Sequence, residues 1–466
     1  MGERNRTVTM ILLPHTFFII MYIYIVSLSF PIDSRDWIVV SLCLILILIQ
    51  IVVALYLHIM PVSKQKFSSR RLQILYGGRQ ILRICFFGIL SQLIVYPVLF
   101  HLPVPDPHLP DAEGLALAFY FFSVLDIIYI ILYFYLLLLN GSLRILCTCR
   151  SLGTFRRILV FAGIMTPVVN LVVLRYICGK AKEECDRELC RFENRKERDG
   201  TLICATKYPI IMLHGIGFRD LKYFNYWGRI PKELVRNGAI VYYGHQEAWG
   251  TIEDNALAIR DKIKEVLAEN RCDKVNIIAH SKGGLDARYV ISALHMEQQV
   301  ASLTTVSTPH QGSELINLLS RLPDSLYRKI SSLFDRSYRK FGDQHPDCYH
   351  ASKQLAPSYC GHFNEICPNA PEVYYQSYVS QMKGFTADWM LCIPHLLMRL
   401  AGAPQNDGLV SVTSAKWGEF KETFVSTSGH GVSHGDMIDL KREDYRGFDV
   451  IEAYVKMVAK LKDKGY

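Results

Sequence analysis

The chain has no long basic tract, and its densest basic runs flank apolar segments, so a net charge of +9 is assigned to membrane orientation and not to a nucleic-acid surface. Its thirteen cysteines show no zinc-type pairing. Cys147 and Cys149 are one residue apart, and Cys185 and Cys190 fall in a charged stretch, so neither pair suits a metal site. Cys348, Cys360 and Cys367 allow one disulfide on an oxidising side of a membrane, but unpaired buried thiols are the preferred reading. There is no internal repeat and no low-complexity tract. The cluster "FGDQHPDCYH" at 341–350 reads as a polar surface loop before it reads as a zinc site.

What is present divides the chain in two. Hydrophobic residues make up 50% of the sequence, and the excess lies before residue 178. Segments 8–31, 37–61, 84–102, 115–139 and 158–177 are each long enough to cross a hydrocarbon layer of ~30 Å at ~1.5 Å per residue. Five membrane helices are therefore expected, the first as an anchor, since it lacks a clean small-x-small cleavage site. Lys64, Lys66, Arg70, Arg71, Arg79 and Arg83 follow the second segment, and Arg144, Arg150, Arg156 and Arg157 follow the fourth. Both loops read as cytoplasmic, whereas "VPDPHLPDAEG" carries acids and no Lys or Arg. With five crossings the remainder of the chain is extracytoplasmic; were the fifth segment re-entrant, with its Pro167 and Asn170, it would be cytoplasmic. Asp126 has no second carboxylate in these segments, which favours a helix–helix hydrogen bond over a proton path.

Residues 179–201 hold seven basic and seven acidic side chains and read as a solvated linker or exposed helix. The expected organisation is a transmembrane helical domain over 1–178, a charged linker over 179–204, and a globular domain over 205–466. In the last, strands are expected at 208–213, 239–243, 274–279, 301–307 and 373–380. Helices are expected near 228–237, 254–270, 388–401 and 448–462. That alternation describes an α/β fold with a mostly parallel sheet covered on both faces. An insert over about 314–371 breaks it, beginning with the amphipathic "ELINLLSRLPDSLYRKISSLF".

The most informative stretch is "VNIIAHSKGGLDARYV". A buried-strand run enters Ala279-His280-Ser281-Lys282-Gly283 and a helix leaves it, with small residues two before and two after the serine. A tight strand-to-helix turn needs that spacing, because it forces the serine backbone against both neighbouring elements and lifts Oγ above the sheet edge. The plain alternative is a capping serine after a strand. A hydroxyl nucleophile also needs a histidine base and an acid that orients it, in the chain order serine, acid, histidine. "PQNDGLVSV" offers Asp407; "GHGVSHGDM" offers His434 and His430, of which His434 is preferred. Backbone amides of Ile216 in "LHGIG" and of Lys282 are candidate donors to the oxygen that becomes negative.

"PIIMLHGIG", "VNIIAHSKGGLDARYV", "TTVSTPHQGSE", "NDGLVSV" and "SHGD" stand in the order and rough spacing of the bacterial true lipases, which the chain resembles from about 205 to 465. The resemblance implies an α/β-hydrolase and a serine carboxylester hydrolase with Ser281, Asp407 and His434 as triad, and Ile216 and Lys282 as oxyanion hole. It also implies a helical lid over about 314–345. The membrane third has no counterpart in secreted members. Members often hold a structural calcium through two aspartates, which here correspond to Asp436 and Asp388, while Leu440 stands where an amide is expected. Calcium wants six or more oxygens, so the ion stays an open alternative. No cofactor is expected for the chemistry itself.

These features describe a membrane-anchored lipase or esterase acting on lipid acyl esters, with a bilayer and no nucleic acid as partner. An acyltransferase or phospholipase would use the same triad. A second class is a transporter or scaffold carrying a non-catalytic hydrolase module. Acyl-chain length, lipid class and oligomeric state are left open.

Overall fold

The computed structural model describes residues 10–11, 13, 15–16, 19–20, 36–59, 67, 69–100, 112–164, 166, 169–198, 200–218, 225–340, 342–427, 429–442 and 447–466. Contacts divide the chain into two units, Met1–Arg195 and Lys196–Tyr466.

The first unit is helical, with helices Asp36–Ile59, Arg70–Phe100, Ala112–Thr148, Thr154–Ile164 and Val169–Glu197. Arg70–Phe100 packs along Ala112–Thr148, and small residues set how close they come. A Cβ added at Gly78 would meet the Gly141 carbonyl oxygen at 2.9 Å, and one at Gly141 would meet the Gly78 carbonyl at 3.0 Å. Among the described residues two stretches are long and apolar enough to cross a membrane, Arg70–Ile94 and Ser123–Thr148, with Leu44–Tyr56 as a shorter apolar helix. The first of the five expected segments falls mostly outside the described residues.

The expected fifth crossing, 158–177, is not one helix. It is interrupted between Ile164 and Val169, where the sequence carries Pro167, a residue that lacks the N–H needed to continue a helix. The charged stretch that follows is helical to Glu197 and is not an exposed helix throughout, since Ala181, Glu184, Cys185 and Arg191 are buried. Its Lys, Glu and Arg residues are good helix formers, and Lys180–Glu183 and Glu188–Arg191 pair one turn apart. Glu184 is buried there, bonded to Arg71 and to the Ser151 amide at 2.8 Å. Asp126 is fully buried.

The second unit is built on six parallel strands in the spatial order β2-β1-β3-β4-β5-β6. They are β1 Ile210–Leu213, β2 Val241–Tyr243, β3 Val275–His280, β4 Val300–Val306, β5 Tyr374–Ser380 and β6 Glu419–Phe424. Alternate residues feed opposite faces. Ile210 and Met212 join Trp227, Leu234, Tyr454 and Val458 on one side, and Ile211 and Leu213 join Ile259, Ile263, Val266 and Val290 on the other. Helix Ile252–Asn270 starts at Thr251, whose hydroxyl accepts the Asp254 amide at 3.2 Å, and its buried stripe covers the second face.

Three differences from the expected elements have local causes. β6 lies at the sheet edge and reads "EFKETF", so it has no apolar run. The expected helix near 388–401 is Cys392–Leu400, preceded by a short 3-10 turn. The polar part of the insert contains two more helices, Cys348–Lys353 and Pro357–Ile366. Cys348, Cys360 and Cys367 are buried free thiols there, and burial pushes Cys348 and Cys360 up to about 12.

Candidate active site

β3 ends at His280, and the next residue, Ser281, takes a φ of +55° before helix Gly283–Ser292 begins. A non-glycine residue in that region is strained and persists only where its surroundings hold it. Here the Ser281 amide donates to the Val306 carbonyl at 3.0 Å, and the Gly284 amide bonds back to the Ser281 carbonyl at 3.1 Å. The loop after β1 comes so close that a Cβ on Gly215 would lie 2.7 Å from Ser281 Cβ.

That loop carries Ile216. Neither the Ile216 amide nor the Lys282 amide donates to another protein group among the described residues. The loop is held from beneath by His214, whose ring nitrogens contact the Gly215 and Gln246 carbonyls at 2.8 and 2.9 Å. The Lys282 side chain turns away from solvent and pairs with Asp286 at 2.6 Å, both 1% exposed. Burial pushes Asp286 up to about 6, although the Lys282 ammonium and the Asn255 amide pull the other way.

Asp407 and His434 meet. His434 Nδ1 lies 2.8 Å from Asp407 Oδ2; Asp407 Oδ1 accepts the Val410 and Leu409 amides at 2.9 and 3.1 Å. Asp407 is fully buried, which alone would raise its pKa, but the adjoining His434 ring and the two amides hold it below the usual carboxylate range. His434 stacks obliquely on His280, ring centroids 4.4 Å apart, which brings it beside the serine corner. Ser281 Oγ makes no hydrogen bond to His434 in this resting arrangement; such bonds are often long without substrate. His430 is exposed and faces the Ala387 carbonyl at 3.0 Å.

The two aspartates of the calcium alternative both approach Ser433. Asp388 Oδ2 accepts the Ser433 hydroxyl at 2.8 Å, and Asp436 Oδ2 accepts the Ser433 amide at 2.9 Å. Lys441 Nζ sits 2.7 Å from the same Asp388 oxygen. A donor set that already includes an ammonium group does not fit a calcium ion.

Sequence reasoning missed several supports. Tyr226 Oη contacts His280 Nδ1 at 2.7 Å, and Tyr338 of the insert donates to the Gly217 carbonyl at 2.5 Å. Only the Lys282–Asp286 pair, four apart at a helix start, had a local signal.

A parallel sheet wrapped by helices, with a strained serine at the end of β3 and a histidine–aspartate pair beside it, places the second unit among the α/β-hydrolases. The family model for palmitoyl protein thioesterase matches residues 209–368. Triacylglycerol lipase 2 of Saccharomyces cerevisiae is 32% identical over 274 residues, which are 53% of this chain and 78% of that protein. The triacylglycerol lipase of Pseudomonas fragi is 27% identical over 56% of this chain and 98% of its own. Among solved structures, mature Bacillus licheniformis lipase BlEst2 superposes with a TM-score of 0.41 and 18% identity, over 54% of this chain and 92% of that one. The chain belongs to the triacylglycerol lipase family, and it is an ester hydrolase.

Proposed function

We propose that the chain is a membrane-anchored serine carboxylester hydrolase that cleaves lipid acyl esters through an acyl-enzyme. Ser281 Oγ attacks the ester carbonyl carbon while His434 Nε2 takes its proton; the carbonyl oxygen, now negative, faces the Ile216 and Lys282 amides. The intermediate collapses, the alcohol leaves with the proton from His434, and water repeats the cycle to release the acid. Asp407 holds the imidazole in the tautomer that leaves Nε2 free for the serine. No step calls on a cofactor. The observation that carries this reading is the His434–Asp407 pair with its ring against His280, one residue before Ser281.

The test is hydrolysis of p-nitrophenyl esters of graded chain length by the full protein beside Ser281→Ala. The variant should fall to background with its thermal unfolding unchanged. Activity surviving the replacement would reject the mechanism. The thioesterase family match over 209–368 favours a second reading, with S-acyl substrates, so an acyl thioester belongs in the same panel.

Attachment to a bilayer is supported by the first unit's uncovered apolar side chains. Leu93, Ile94 and Ile131 are 72%, 72% and 65% exposed, which is costly against water and neutral against lipid. The catalytic unit is extracytoplasmic if the fifth segment crosses, and the break between Ile164 and Val169 makes that crossing the step to test. Protease cleavage of the second unit on intact cells is the expected result; protection there and cleavage only after lysis would put it inside.

A further inference from the structure

We infer that Lys441 is a built-in cation that fixes the loop bearing the histidine base, at the two aspartates that the lipase resemblance assigns to a calcium ion. The inference rests on the reading of His434 as that base. Asp388, which is buried, and Asp436, which is half-buried, both bond Ser433, through its hydroxyl and its amide respectively. Left alone, two such carboxylates would repel each other or take up protons. Asp388 Oδ2 meets the Lys441 ammonium at 2.7 Å and the Ser433 hydroxyl at 2.8 Å, so its charge has a counter-charge and a donor in place.

The geometry then runs to the base through one residue. Asp388 accepts the Met390 amide at 3.0 Å on one oxygen, and Ser433 Oγ and Lys441 Nζ on the other. Asp436 takes the Ser433 amide and returns its own amide to Ser433 Oγ at 3.2 Å. Ser433 is therefore clamped by both acids, and the next residue is His434, whose amide is held by the Asp407 carbonyl at 2.9 Å. Lys441 supplies a single positive charge on a tether and cannot be lost by dilution or chelation. It is a positioning residue: it touches Asp388 and not the reacting atoms. A dication brought to these acids would meet the ammonium at hydrogen-bond distance of its first ligand.

The experiment compares the full-length protein with Lys441→Met and Lys441→Arg, using calcium chloride and a chelator as probes. Wild-type protein should give no calorimetric heat with millimolar calcium, and its kcat should be the same in chelator and in calcium. Lys441→Met should lose about tenfold in kcat with little change in KM, as when an outer support of a site is removed. Lys441→Arg, which keeps the charge, should recover most of that loss. Lys441→Met should also gain a calcium heat, because the two acids are then uncompensated. Calcium binding by the wild type, a wild-type kcat that falls on chelation, or an undiminished kcat in Lys441→Met would each overturn the inference. Should Lys441→Met fail to fold, wild-type calorimetry and Lys441→Arg still decide. Ser281→Ala run alongside keeps the two proposals apart: its survival would reject the triad, while the calcium titration reads Lys441 without reference to activity.

Discussion

His434 and Asp407 are joined twice: ring Nδ1 to carboxylate Oδ2 at 2.8 Å, and the His434 amide to the Asp407 carbonyl at 2.9 Å. An ionised carboxylate only accepts, so Nδ1 carries the proton and Nε2 is left as the basic atom. The backbone bond fixes where the ring begins and the side-chain bond fixes which way it turns.

Asp407→Asn keeps the shape and removes the charge. An amide can donate to Nδ1 and so favours the wrong tautomer; kcat should fall about 10,000-fold, with KM little changed. The same variant reports on stability. Burial by itself raises Asp407, but His434 and the amides of Val410 and Leu409 bring it below its unfolded value. A depressed carboxylate stabilises the fold above about pH 4 and loses that contribution as pH falls through the folded-state value. The melting temperature of wild type should therefore exceed that of Asp407→Asn most at neutral pH, and the gap should close in acid.

Gly215→Ala tests the approach of the proposed oxyanion loop to the serine. The added methyl would stand 2.7 Å from Ser281 Cβ and 2.8 Å from Tyr226 Oη, so the loop must retreat. Moving the Ile216 amide away from the developing charge should cost about 3 kcal/mol of transition-state stabilisation, a factor of roughly a hundred in kcat. Steady-state kinetics on a soluble ester measures it, and a kcat within a few-fold of wild type would remove Ile216 from the oxyanion hole.

The strands that carry the site were legible because a parallel sheet buried on both faces writes itself as short apolar runs, such as Ile210–Leu213 and Val275–His280. The serine corner was legible for a steric reason: Ala279 and Gly283 are small where the chain doubles back. β6 was not, since an edge strand with few buried positions has no periodic apolar signal. Nor were the props of the site. Lys441 meets Asp388 across 53 residues, and Tyr226 meets His280 across 54. A single long-range polar pair leaves no pattern in either neighbourhood. The break after Ile164 was written in Pro167 but outweighed by the length of the apolar segment around it.

Arg288 should prove irreplaceable by lysine. It is buried on the helix after Ser281; its guanidinium carbon lies 3.7 Å from the Trp417 ring centroid, and its nitrogens reach Asn364 Oδ1 and the Cys367 carbonyl at 2.7 Å each. Burial draws its pKa down to about 10, and these contacts make the cost tolerable. An ammonium cannot stack flat on Trp417 and bridge both acceptors. Arg288→Lys should lose about 3 kcal/mol in chemical denaturation, because one buried carbonyl and one amide oxygen are left without a donor.

Helix Asp324–Lys340 should gate the site. Leu326, Ile330, Leu333 and Phe334 are exposed on it, while Tyr327 is buried with its hydroxyl 2.8 Å from Ser352 Oγ. At its far end Phe334 and Tyr338 pack on Trp249, and Tyr338 holds the Gly217 carbonyl, one residue past Ile216. Just before the insert, Ser313 Oγ donates to the Leu409 carbonyl of the acid loop at 2.6 Å. An apolar stripe facing water gains by meeting a lipid surface, and the Tyr338–Gly217 bond is one contact the helix gives up in leaving. Deleting 314–345 should therefore weaken the preference for aggregated over dissolved esters. Tyr338→Phe, which loses about 1 kcal/mol of closure, should raise activity on dissolved esters roughly fivefold and leave activity on emulsified ester nearly unchanged. Rate curves taken through the solubility limit of one ester separate these outcomes, and a deletion that keeps the wild-type preference would show that the helix is not a gate.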